Sequence, residues 1–115
     1  MHRYCFRKVS VSIAGDYYQI LFDDGLDGDN TPYLLIQRQF EMPDGGECYF
    51  ESLDEELVGH RNIESADISS NKLTIHNVGD LSYDMEITFA ATDEEKSELV
   101  LCLKDMFPDV VVIND

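Results

Sequence analysis

The sequence predicts an α+β domain: a curled, mainly antiparallel sheet of about seven to eight strands with one long C-terminal helix packed on one face. Three observations predict it. Short apolar segments alternate with period two along most of the chain. Turn chemistry separates them at close intervals, as in Ala14-Gly15-Asp16, Met42-Pro43-Asp44-Gly45-Gly46 and Gly79-Asp80. A single strong helical period then runs from Thr92 to Phe107. The 115 residues read as one domain, 1–115, long enough to bury a core without disulfide or metal staples.

Tyr4 to Ile13 reads as a strand. Tyr4 and Phe6 share one parity, and Val9, Val11 and Ile13 share the other, so a bulge is expected near Arg7-Lys8. Tyr17 to Phe22 is its expected hairpin partner, and Asp23 to Asn30 a loop. Tyr33 to Glu41 reads as a central strand covered on both faces at its start, because Leu34, Leu35 and Ile36 run without a break. Glu47 to Ser52 follows, with Cys48 and Phe50 on one face and Glu47, Tyr49 and Glu51 on the other.

Ser52 to Glu55 has capping-box spacing, so a short helix over Leu53 to Val58 is expected, with Gly59 ending the turn. Strands are expected over Ile63 to Ile68, Lys72 to Val78 and Tyr83 to Ala90. The last of these places Tyr83, Met85, Ile87 and Phe89 inward and Asp84, Glu86 and Thr88 outward. In the long helix Thr92 caps and Glu95 sits three residues on. Asp93, Glu94 and Glu95 suit its positive end, and Lys104 its negative end. Leu99, Cys102, Leu103 and Met106 form its apolar stripe, and Pro108 stops it. Val110 to Ile113 is a short, covered final strand.

Charge is the unusual property. There are 24 acids against 8 bases, a formal charge of −16, where an ordinary small domain carries about −2 to −8. Residues 1–15 hold three of the bases and no acid, which leaves 24 acids and 5 bases on the remaining 100 residues. The charge argues against nucleic acid as a direct ligand and disfavours anionic membrane, because both are bound through Lys and Arg. A basic protein is the electrostatic complement. Solubility alone is the plainer explanation of such a charge.

Asp23 to Glu56 concentrates it, with eleven carboxylates opposed by Arg38 alone. The residues expected to bind a partner are Asp23, Asp24, Asp27, Asp29, Asp44, Glu47, Tyr49, Glu51, Asp54, Glu55 and Glu56. Tyr17, Tyr18 and Tyr33 join Tyr49 as anchors, since tyrosine combines area with a polar tip at little entropic cost. The loop Asp23 to Asn30 does not make an EF-hand. With Gly28 as the sixth residue, Gly25 stands at position three and Leu34 at position twelve, and neither offers a ligand.

His2, His60 and His76 are scattered, and no spacing groups them with Cys5, Cys48 or Cys102 as a metal site. The three cysteines, an odd number without a CxxC pair, fit a reducing compartment and read as core fillers. Cys48 with His60 or His76 is the formal catalytic candidate. No nucleophile elbow or oxyanion loop marks it, so neither an enzyme nor a cofactor is expected. The N-terminus has no apolar signal-peptide core, and no run reaches the ~18 apolar residues of a membrane span. The expectation is a cytoplasmic protein.

YLLIQRQFE at 33–41, CYFES at 48–52, KLTIHNV at 72–78 and the amphipathic segment that ends near Phe107 together resemble small bacterial immunity proteins of polymorphic toxin systems. These include partners of contact-dependent growth-inhibition toxins, and the likeness is greatest to the immunity family numbered ten. The resemblance implies a protein that binds a cognate toxin domain in the cytoplasm and blocks it. Many such toxins are basic nucleases. Gln37 and Arg38 match the motif and read as structural, with Arg38 paired to an acid. No site residue carries over, because each member fits its own toxin. The alternative is a small acidic regulatory module, or a nucleic-acid mimic, acting on an endogenous protein.

Overall fold

A computed structural model describes residues 2–15, 17–25, 32–39, 48–53, 57–69, 71–78, 84–106 and 111–114. The fold is α+β, but its strands form two sheets, not one curled sheet of seven to eight strands. The meander sheet is wholly antiparallel and consists of β2 (Lys8–Ala14), β3 (Tyr17–Asp23), β4 (Tyr33–Gln39), β5 (Cys48–Ser52) and β6 (Gly59–Arg61), in that order. The mixed sheet has the order β1 (His2–Cys5), β9 (Met85–Thr88), β8 (Lys72–His76), β7 (Ser65–Ser69), β10 (Val111–Asn114). Its three middle strands are antiparallel, while β1 and β10 add to either edge in parallel.

The parity break after Phe6 is the reason for two sheets. Sequence alone reads it as a bulge in one strand. In the fold it is the point where the chain changes sheets. The Phe6 N–H donates to the Thr88 carbonyl at the end of β9, at 2.8 Å. The very next N–H, that of Arg7, donates to the Asp23 carbonyl at the end of β3, at 3.1 Å. Phe6 then stacks on Phe22 of β3, with ring centroids 6.1 Å apart, and Phe22 meets Phe89 at 5.5 Å. One aromatic row therefore ties the two sheets together.

Alternation is realised within each strand. β5 reads buried, half-buried, buried, half-buried, buried, and β8 buries Leu73 and Ile75 as expected. β2 and β3 close a tight hairpin in which Ala14 faces Tyr17. Gly15 turns it at φ 63°, a left-handed conformation that a side chain disfavours. Gly59, expected to end a helical turn, is itself the first residue of a strand, β6, opposite Phe50. Residues 54–56 of the expected short helix lie outside the described residues, as do Tyr83, Phe107 and the turn at Met42 to Gly46. The strand expected from Ile63 begins at Ser65, and Ile63 is buried in the link before it.

Helix α1 spans Asp93–Met106. Its capping box is formed: Thr92 Oγ1 accepts from the Glu95 N–H at 3.1 Å, and Glu95 Oε1 accepts from the Thr92 N–H at 2.9 Å. Leu99, Val100, Leu103 and Met106 enter the core, where they join the inward rows of both sheets. Those rows include Ile20, Ile36 and Phe50 from the meander, and Ile68, Ile75 and Met85 from the mixed sheet. No described helix is long and apolar enough to cross a membrane.

Candidate interaction face

The meander has two unlike faces. Its register places Phe22 beside Leu34, and Ile20 beside Ile36 and Phe50. These residues, with Val9, form the inner face against the core. Period-two geometry sends their neighbours outward: Tyr17, Gln19, Leu21 and Asp23 on β3; Tyr33, Leu35 and Gln37 on β4; Tyr49 and Glu51 on β5; and His60 on β6. Every one of these is half-buried or exposed. This corrects the expectation that β4 is covered on both sides. Leu34 and Ile36 are buried, but Leu35 lies half-open beside Leu21.

Polar contacts organise the face in rows across the strands. Gln37 Nε2 donates to Gln19 Oε1 at 2.7 Å. Further along that row Tyr49 faces His60, with ring centroids 5.4 Å apart. The Tyr49 hydroxyl donates to Glu51 Oε1 at 3.3 Å. Partial burial, followed by the charge and hydrogen bonding of Glu51, raises the pKa of both Tyr33 and Tyr49. Both phenols therefore remain neutral donors at ordinary pH.

Of the acids expected at the interface, Glu51 and Asp23 lie on this face. Asp23 Oδ1 also accepts from the Gly25 N–H at 2.8 Å, which shapes the start of the loop. Asp24 Oδ1 accepts from the Arg7 N–H at 3.1 Å, so it fastens the crossing between sheets. Asp27, Asp29, Asp44, Glu47, Asp54, Glu55 and Glu56 lie outside the described residues. Among the tyrosines, Tyr17, Tyr33 and Tyr49 face outward as expected of anchors. Tyr18 does not: it packs against the core from the inner face.

Carboxylates also occupy other surfaces. Asp67, Asp84 and Glu86 line the outer face of the mixed sheet, and Glu98 and Asp105 lie on the helix. Sequence reasoning missed one constellation here. His76 sits between two acids, with Nε2 2.9 Å from Asp67 Oδ2 and Nδ1 3.3 Å from Asp84 Oδ2. The Asp67 hydrogen bond is the main cause of a raised His76 pKa, and partial burial opposes it. The outward parity of His76 and Asp84 was visible in the sequence; the register that brings Asp67 across was not.

The structure places the three cysteines and the two histidines considered beside Cys48. Cys48 is buried and Cys102 half-buried, but Cys5 is exposed at the end of an edge strand and fills no core. Cys48 Sγ points inward and donates to the Arg61 carbonyl at 3.6 Å. His60 lies on the opposite face of the same strand pair, so the two do not meet. His76 belongs to the other sheet. Among the described residues no cluster of three or more His, Cys, Asp or Glu has metal-binding geometry. Comparison with known proteins found no matching family model, curated protein or solved structure.

Proposed function

We propose that this chain is an immunity protein that binds a cognate basic toxin domain in the bacterial cytoplasm and neutralises it by occluding its active cleft. The observation that carries the reading is the outer face of the meander: a five-stranded surface with no buried residue among those described, bearing Tyr17, Tyr33, Tyr49 and Glu51. A rigid core holds that face, so binding orders little new structure. The charge of −16 supplies the attraction. A field of this kind raises association rates by about 10–10³ and weakens with salt. A toxin with a cationic nuclease cleft is the matching partner, and the chain needs no catalysis of its own to block it.

The test is capture of the native complex from the source cell with tagged chain, followed by the same capture with Tyr33→Ala and Tyr49→Ala combined. The wild type should retain a basic toxin domain and suppress its activity. The double variant should fold normally and lose at least about tenfold in affinity, as truncated tyrosine anchors do. Capture of a DNA-binding protein of the same cell would support the mimic reading instead. Association indifferent to ionic strength would remove the electrostatic part of the argument.

A further inference from the structure

β2 is an edge strand. It pairs with β3 on one side and, among the described residues, with no strand on the other. An unpaired edge presents a row of main-chain donors and acceptors, and proteins usually blunt it with proline, a bulge or inward charge. β2 has seven residues, KVSVSIA, without proline, and its one charged residue is Lys8 at the start. Ile13, near its end, leaves 67% of its surface in solvent.

Beside this edge lies an open groove of about 350 Å³. Its first wall is Val11, Ser12 and Ile13. Val11 and Ile13 share the inward parity of Ile20 and Tyr18, so the groove opens between the inner face of the hairpin and α1, next to the edge of β2. Tyr18, which faces Ile13 across the hairpin, forms the floor. The second wall is one stripe of α1: Glu98, Cys102 and Asp105, spaced by four and three residues. Leu101, 64% exposed, falls between Glu98 and Asp105 on the same helix surface. The groove thus combines an open strand edge, apolar contacts and two carboxylates.

The geometry points to a peptide-docking groove, in which an extended segment of a protein partner, with both apolar and basic side chains on the face it turns toward α1, adds as a sixth strand along β2 beneath α1. Main-chain hydrogen bonds to the edge give such a strand affinity, and pockets for alternate side chains give it selectivity. Here the side chains that point toward α1 all lie on one face of the added strand, two residues apart: apolar ones meet Ile13, Tyr18 and Cys102, and basic ones beside them meet Glu98 and Asp105. This surface lies on the opposite side of the meander from the face that carries Tyr33 and Tyr49. It stands independently of the toxin reading, and either can fail without the other.

The test uses the full chain and a fluorescent seven-residue peptide with valine and lysine taking turns on one face and threonine on the other, with a second peptide methylated on alternate main-chain nitrogens. Anisotropy and backbone amide NMR are the readouts. The first peptide should bind saturably and shift the amides of residues 10–13 and 98–105. Methylation should weaken it about tenfold, because it removes main-chain hydrogen bonds. Glu98→Lys with Asp105→Lys, both on the exposed helix surface, should weaken it about tenfold at low salt. Absence of binding, equal binding of the methylated peptide, or shifts confined to the Tyr33 and Tyr49 face would overturn the proposal. So would a dimer held through β2 without peptide, since a second copy would then be the occupant.

Discussion

Arg38 Nη1 donates to the Met106 carbonyl at 2.9 Å, joining the centre of the meander to the last turn of α1 across 68 residues of sequence. Arg38 is 3% exposed. A helix leaves its final carbonyls without internal partners and ends in partial negative charge, so a guanidinium there satisfies both. The structural role expected of Arg38 is thus exercised through the helix end. Arg38→Met should keep much of the side-chain volume and still destabilise by about 2–4 kcal/mol, because it removes a charged donor from a buried carbonyl. Urea unfolding of the two proteins measures the difference. A change under about 0.5 kcal/mol, the level of an ordinary surface substitution, would show that the contact has no structural weight.

The pair of acids around His76 predicts a pH-dependent stability. The folded pKa of His76 lies above its ordinary 6.5, chiefly through the Asp67 hydrogen bond. Its contribution is complete below 6.5 and is lost as pH rises through the folded value. The folded pKa of Asp84 lies below 3.8, mainly because it accepts from the Asn77 N–H and then because of His76. Its contribution is present above 3.8 and is lost as pH falls through the folded value. Stability should therefore peak between the two and decline above neutrality. The acidic chain also repels itself more as pH rises, so His76→Asn is the control. The variant should flatten the decline above pH 6.5, and an unchanged profile would assign all of it to net charge.

The reciprocal bonds of Thr92 and Glu95 predict coupled effects at the helix start. Thr92→Ala should cost about 1 kcal/mol, the usual cost of a lost N-cap side chain. Glu95→Ala should also destabilise, since its carboxylate accepts the Thr92 N–H. The double variant should cost less than the two combined, because each acts within one box. Thermal unfolding of the four proteins gives the coupling, and strict additivity would argue against it.

Cysteine labelling separates the three thiols. Cys5 is exposed, Cys48 is buried, and burial with the nearby Asp105 charge pushes Cys102 up to about 11. Only the thiolate reacts, so iodoacetamide at pH 8 should modify Cys5 first. Peptide mass spectrometry should find Cys102 labelled slowly until the chain is unfolded. Early labelling of Cys102 would mean that neither its partial burial nor its raised pKa protects it.

Local pattern was sufficient for several elements. The capping box at Thr92 and Glu95, the alternation of β5 and β8, and the Gly15 hairpin each depend on residues a few positions apart, where side-chain chemistry dictates conformation directly. Leu35 shows where this ends. A run of three apolar residues reads as burial on both faces, yet its outer member stays half-open beside Leu21.

By itself the sequence determined the class of the fold, the existence of most strands, the helix and its N-terminal cap, and a formal charge of −16. Tertiary structure alone decided that the break after Phe6 moves the chain between sheets. It also decided that β1 and β10 join in parallel, that Arg38 finds the end of α1, and that Asp67 and Asp84 enclose His76. The physical reason is that parity reports which way a side chain points, whereas partner and register depend on contacts between residues far apart in the chain. No local preference encodes those contacts.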